Sequence, residues 1–228
     1  MRRIFTFALS LLSAVVVMAQ GWPSQYKGVM LQGFYWDSYA DTQWTNLESQ
    51  ADELAEFFNL IWIPQSGKSN NTANSMGYDD MWWFNDYNSS FGNEQELRSM
   101  ISTFKDKGLG TIADVVINHR FSMEGWFGFP EETYKGVTYT MSSTDVCSTD
   151  DNGGAQAEAD RLGVSLGAAD SGDDFGGGRD LDHSSQNVQT VVKAYLDFLL
   201  NDLGYTGFRY DMVKGYAPMY TGIYNVAA

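Results

Sequence analysis

Cysteine is nearly absent from this sequence: Cys147 is the single one in 228 residues, so no disulfide can close within the chain. Outside a cell, stability would then rest on packing or on a bound ion. Cations are scarce as well, with 14 Lys and Arg against 29 Asp and Glu, a formal net charge of -15 and a pI near 4.3. A nucleic acid or an anionic membrane surface needs a basic face, so both are excluded as main partners, and neutral or cationic ligands remain. Long apolar runs are missing too. The apolar stretch over residues 4–17 is short for a membrane span of about 20 residues. It follows Arg2 and Arg3 and leads into Val17-Met18-Ala19, the layout of a cleavable export signal over residues 1–20, cut near Ala19. The mature chain is expected to be secreted or periplasmic.

What is plentiful is apolar and aromatic: 43% hydrophobic residues, with thirteen Tyr and seven Trp. That suffices for a large core and leaves flat rings for holding sugars. Residues 28–36, with Val29, Met30, Leu31, Phe34 and Tyr35, read as a first strand buried on both faces. Leu47, Ala51, Leu54, Ala55 and Phe58 recur at helical spacing up to Asn59. Residues 60–63 are a second buried strand, closed by Pro64. Asn93 and Glu96 form a capping box ahead of the stripe Leu97, Met100, Ile101 and Phe104, and Gly108 ends that helix. Residues 111–117 are a third strand, and residues 120–182, rich in Gly, Asp, Ser and Thr, an irregular insertion of a size that suits a functional subdomain. Val188, Val191, Val192, Tyr195, Leu199 and Leu203 mark a helix capped by Ser185 or Asn187 and stopped by Gly204. Residues 207–210 are a fourth strand. Strand and helix alternate as in a (β/α)8 TIM barrel, of which about half is present. The domains are residues 21–119, first part of the barrel; 120–182, the insertion; and 183–228, the barrel continued.

Two places gather chemistry. Arg209 and Asp211 are two apart on a strand and so share a face. A nearby guanidinium favours the ionised form of a carboxylate, which would keep Asp211 ready as a nucleophile. On those residues alone a structural ion pair explains the pattern equally well. Residues 114–119 end the third strand with Asp114, Asn118 and His119 at or just past its carboxyl end.

Taken together, the motifs Leu31-Gln32-Gly33-Phe34-Tyr35-Trp36, Gly77-Tyr78, Asp114 to His119, Asp170 to Gly176 with Asp180-Leu181-Asp182-His183, and Gly207 to Tyr216 resemble those of the alpha-amylases of glycoside hydrolase family thirteen, in their plant-like branch. The resemblance implies a retaining hydrolase cutting internal alpha-1,4 bonds of starch or glycogen as a monomer. It implies Asp211 as catalytic nucleophile and Arg209 as its partner. Tyr78, Asp114, His119, Lys214 and Tyr216 match substrate-binding positions. Asn118, Asp170 and Asp180 match side-chain ligands of a calcium ion, with Asp173 and Gly215 supplying carbonyls. The family's general acid has no match in this sequence, nor have its further aspartate and histidine. The chain is therefore expected to be an amino-terminal portion that does not turn over substrate by itself, with glucan binding alone, or another alpha-glucan-acting retaining hydrolase or transglycosylase of the same family, as the alternatives.

Overall fold

The computed structural model describes residues 26–70 and 74–227; the export signal expected over residues 1–20 lies outside them. No helix among the described residues is long and apolar enough to cross a membrane.

The chain opens with β1 (Met30–Gln32), then α1 (Trp44–Ser49) and α2 (Ala51–Phe57), β2 (Leu60–Ile63), α3 (Glu94–Asp106) and β3 (Gly110–Val115). The insertion follows, with β4 (His119–Arg120), a hairpin of β5 (Glu132–Tyr134) and β6 (Val137–Tyr139), α4 (Asp150–Leu162) and β7 (Arg179–Asp180), which pairs antiparallel with β4. The barrel pattern resumes with α5 (Gln186–Asp197), continued as a π-helical segment over Phe198–Leu203, then β8 (Gly207–Tyr210) and α6 (Met219–Ala227). The main sheet is parallel, in the order β1-β2-β3-β8, and is not closed.

The alternation of side chains sets two faces. Ile61, Ile63, Ala113 and Val115 belong to the core with Leu97, Met100, Phe104, Val188, Val192 and Leu199 from the helices. Trp62, Asp114 and Arg209 therefore point to the opposite face, the inside of the half barrel. The Asn93–Glu96 capping box is formed, and Gly204, at φ 89°, ends the π-helical segment in a left-handed turn.

Three expectations need correction. The first strand is three residues long and largely exposed, with Met30 48% accessible and Val29 just before it 53%, because it lies at the edge of the sheet, paired on one side only among the described residues. The expected single helix up to Phe58 is two helices, broken where Gln50 leaves helical geometry at ψ 4°. The insertion is not irregular throughout. It holds α4, whose first turn is left-handed at Asp151, Asn152 and Gly153, and whose buried stripe consists of the small residues Ala155 and Ala159.

Candidate active site

β3 and β8 lie side by side with Asp114 in register with Arg209. The Asp211 backbone N–H continues that ladder to the Val115 carbonyl at 2.9 Å, so Asp211 stands on the same inner face one step beyond the strand. Met212, next in the chain, has φ 46°, an uncommon value for a residue with a side chain, and turns the backbone sharply after Asp211. Arg209 Nη1 donates to Asp114 Oδ1 at 2.9 Å and also to Asp211 Oδ1. The guanidinium lies over the Trp62 ring, 4.6 Å from its centroid, which adds a cation–π contact and restricts its swing.

The second oxygen of Asp114 accepts from the Tyr78 hydroxyl at 2.9 Å. Burial pushes the Asp114 carboxyl up from 3.8 to about 6; the charge and hydrogen bond of Arg209 and the Tyr78 hydroxyl hold it back, while Asp211 adds to the rise. Burial likewise pushes the Tyr78 phenol upward, with Asp114 reinforcing the effect. His119 donates from Nε2 to the Tyr78 carbonyl at 2.8 Å, and its ring stacks on Phe175 with centroids 4.1 Å apart. Burial lowers its pKa, so the ring is held neutral and its tautomer is set by that carbonyl. Asp211 keeps 21% of its side chain accessible, whereas that of Asp114 is fully buried. The arrangement offers one reachable carboxylate backed by a fixed cation, beside an aromatic ring anchored to a second carboxylate.

The expected metal ligands divide. Asn118 Nδ2 donates to Asp180 Oδ1 at 2.9 Å. A Cβ at Gly215 would fall 1.9 Å from Asn118 Oδ1, so only glycine admits that close approach. Asp180 also forms a group with Asp150 and Asp174, carboxylate oxygens of all three lying within 4.8 Å of one another. Burial pushes Asp150 up to about 7 and Asp180 up to about 8, and the neighbouring acids add to both. Arg179 offers one compensating contact, 3.1 Å from Asp150 Oδ2. Several hard oxygen donors with excess negative charge suit a divalent cation such as calcium, so the residues fit that ion. Asp170 stands outside the tight group, its Oδ2 accepting from Thr149 Oγ1 at 2.7 Å. Asp173 is mostly exposed, its side chain 3.3 Å from Lys214 Nζ and its N–H bonded to the Lys214 carbonyl.

Of the other expected sugar contacts, Lys214 is exposed and paired with Asp173, and Tyr216 is 2% accessible, packed against His183 at 4.4 Å between centroids. The ring of Tyr216 is thus core rather than presented at the surface. Sequence reasoning missed Asp150 and Asp174 as partners of Asp180. It also missed Glu132, whose buried carboxylate accepts from the backbone N–H groups of Trp83, Phe84 and Asn85 and pairs with Arg120.

No family model matches the chain. Among curated proteins, it is 29% identical to "Probable alpha-amylase 2" of Arabidopsis thaliana over 203 residues, covering 88% of this chain and 45% of that protein. "Alpha-amylase 3, chloroplastic" of the same plant is 29% identical over 202 residues, covering 88% of this chain and 21% of that protein. Among solved structures, alpha-amylase I from Eisenia fetida superposes with a TM-score of 0.55 at 20% identity, over 87% of this chain and 40% of that one. The chain spans less than half the length of these relatives. Over most of its own length the chain is similar in sequence to alpha-amylases, and its sheet matches the fold of the first strands of a (β/α)8 barrel.

Proposed function

We propose that this chain carries the nucleophile side of a retaining alpha-glucan hydrolase, acting on internal alpha-1,4 bonds of starch or glycogen. The supporting observation is the single Arg209 nitrogen shared between Asp114 and Asp211, with Tyr78 fixed on the far oxygen of Asp114. In this reading Asp211 attacks the anomeric carbon and forms a glycosyl-enzyme, with Arg209 balancing the charge of both carboxylates. Tyr78 supplies the ring against which the sugar rests, and His119, through the Tyr78 carbonyl, fixes the backbone that carries it. Lys214 contacts sugar farther along the chain, while Tyr216, buried against His183, supports the turn that carries it. The second carboxyl group that a retaining mechanism needs, roughly 5–5.5 Å from the nucleophile, has no match in this sequence.

Calcium would be held by Asn118, Asp170 and Asp180 with the carbonyls of Asp173 and Gly215, and the positions of Asp150 and Asp174 add two further carboxylates to that neighbourhood. It would neutralise those carboxylates and tie the insertion to the end of β3. The protein is exported to the periplasm or beyond the cell.

A fluorinated glucosyl fluoride tests the reading on the chain as it stands. Fluoride leaves without a proton, so when a carboxylate oxygen bonds to the anomeric carbon and the C–F bond breaks, no general acid is required. The expected result is one glycosyl mass added per chain, mapped by peptide sequencing to Asp211. An adduct on Asp114 or on any other carboxylate overturns the assignment.

A further inference from the structure

The turn that follows Asp211 is gripped from two sides. Met212, at φ 46°, reverses the chain, and the Gly215 N–H donates to the Met212 carbonyl at 2.9 Å to close the turn. A residue with a side chain stays in that left-handed region only where its surroundings over-determine it. On one side stands Asn118, which leaves no room for a Cβ at Gly215. On the other runs a strap of the insertion, residues 170–175. The Asp173 N–H donates to the Lys214 carbonyl at 2.9 Å, and the Ala217 N–H donates to Ser171 Oγ at 3.0 Å.

Between those two hydrogen bonds lies Gly172. A Cβ there would fall 2.3 Å from the Lys214 carbonyl oxygen, 2.5 Å from the Gly215 carbonyl carbon and 2.6 Å from the Tyr216 nitrogen. All three are backbone atoms, so no side chain can rotate away to make space, and either the turn or the strap has to move. Gly172 does not have a positive φ, so the close approach and not its own backbone angle requires glycine. The strap is fixed at both ends. The Asp170 N–H donates to Thr149 Oγ1 at 2.9 Å, and the Phe175 N–H to Asp180 Oδ2 at 2.8 Å. The ion pair of Asp173 with Lys214 joins two mostly exposed side chains and adds little.

We propose that Gly172 is a positioning residue for Asp211: with Ser171 and Asp173 it clamps the turn over residues 212–217 and so fixes where the carboxylate just past β8 stands. The clamp works through direct backbone contact, separately from any calcium the insertion holds. It rests on the glucan reading above and goes beyond it by naming what keeps the nucleophile in line.

The test is the rate at which the fluorinated glucosyl fluoride labels Asp211 in the full chain, followed against reagent concentration with calcium saturating. Gly172→Ala should lower the maximal rate roughly tenfold or more and leave the half-saturating concentration within about twofold, because the carboxylate moves while the sugar contacts at Tyr78 do not. Ser171→Ala removes one hydrogen bond and no close contact; it should slow labelling about threefold, and Ser171→Thr should restore it. Hydrogen exchange over residues 212–217 should rise in both slowed variants, with exchange over α3 unchanged. Near-UV circular dichroism reports folding, and Ser171→Ala, at an exposed side chain, decides the matter if Gly172→Ala does not fold. Labelling and exchange equal to wild type in the variants would overturn the clamp and leave the glucan reading standing. A higher half-saturating concentration at an unchanged maximal rate would put the strap in sugar binding instead, and a slowed Gly172→Ala rate seen only with a chelator would give the turn to the ion; either result overturns the proposal. If wild type takes no label at Asp211, the glucan reading falls and the clamp's role falls with it.

Discussion

Arg209 holds Asp114 through one nitrogen, Nη1, and spends the second hydrogen of that nitrogen on Asp211. The buried acid and the accessible one are therefore coupled through a single donor. Replacing Arg209 with methionine should leave Asp114 in the interior without its counter-charge. Losing one partner of a fully buried pair costs about 3–5 kcal/mol. Because 36% of the Arg209 side chain is accessible, solvent screening brings the expected loss down to roughly 2 kcal/mol at pH 7. At pH 4, where Asp114 carries a proton, most of the loss should disappear. Urea unfolding of both proteins at the two pH values measures it.

Asp114 itself gives a pH signature. Its carboxyl titrates near 6 in the folded chain against an ordinary 3.8, so the native state holds the proton more firmly than the unfolded state does. The contribution of this group to stability is fully present below about pH 4. It is lost as pH rises through 6, and constant above that. At about 1.4 kcal/mol per unit, the loss for wild type is about 3 kcal/mol across that window. Asp114→Asn does not titrate. The stability difference between the two proteins should therefore change by that amount between pH 4 and pH 7, and a difference independent of pH would show that the burial cost is offset elsewhere.

Calcium should reverse the sign of one substitution. With a chelator, Asp180→Asn removes a buried carboxylate crowded by Asp150 and Asp174, and should match or exceed wild type in melting temperature. With calcium in hundredfold excess over its Kd, wild type gains about 2.7 kcal/mol and the variant gains little. Scanning calorimetry of both proteins with and without the ion reads the crossing. Equal responses would remove Asp180 from the ligand set.

The elements that were legible in the sequence carry their burial in their own pattern. Leu60 to Ile63 is an uninterrupted apolar run and forms a buried strand, and the Asn93 and Glu96 box is a local hydrogen-bond exchange that needs nothing distant. The exposure of β1 depends on what lies beside it, which no window of residues contains. In α4 the buried stripe is Ala155 and Ala159, too small to stand out, and the left-handed turn at its start reads as loop. Arg209 and Asp211 were found because a strand's period of two relates them directly. Asp174 sits beside Asp173 in a loop that has no period, so nothing local says which of the two carboxylates turns inward. Asp150 joins them from an acid-rich turn that reads as solvated, and only the fold brings it against Asp180.

Glu132 shows the same limit and supports a last prediction. Nothing distinguishes it from Glu131 in sequence, yet its side chain is 1% accessible and is the hub of a buried network. It accepts from Phe84 N at 2.7 Å and from Trp83 N and Asn85 N at 3.0 Å each, and pairs with Arg120, whose guanidinium lies over Trp83. Arg120 Nε also donates to the Met81 carbonyl at 2.9 Å. The insertion strand β5 thus grips the segment that follows Tyr78, and through Arg120 the residue next to His119. Glu132→Gln keeps an acceptor oxygen but leaves Arg120 charged and unpaired inside the protein, which should cost about 3–5 kcal/mol. Adding Arg120→Met removes the orphaned charge and should recover part of that loss, since an apolar replacement of a buried pair is often near neutral. Hydrogen exchange over residues 78–85 should rise in the single variant and fall back in the double one. A single variant as stable as wild type, with exchange unchanged, would mean that these backbone groups find other acceptors and that the insertion does not hold the Tyr78 segment in place.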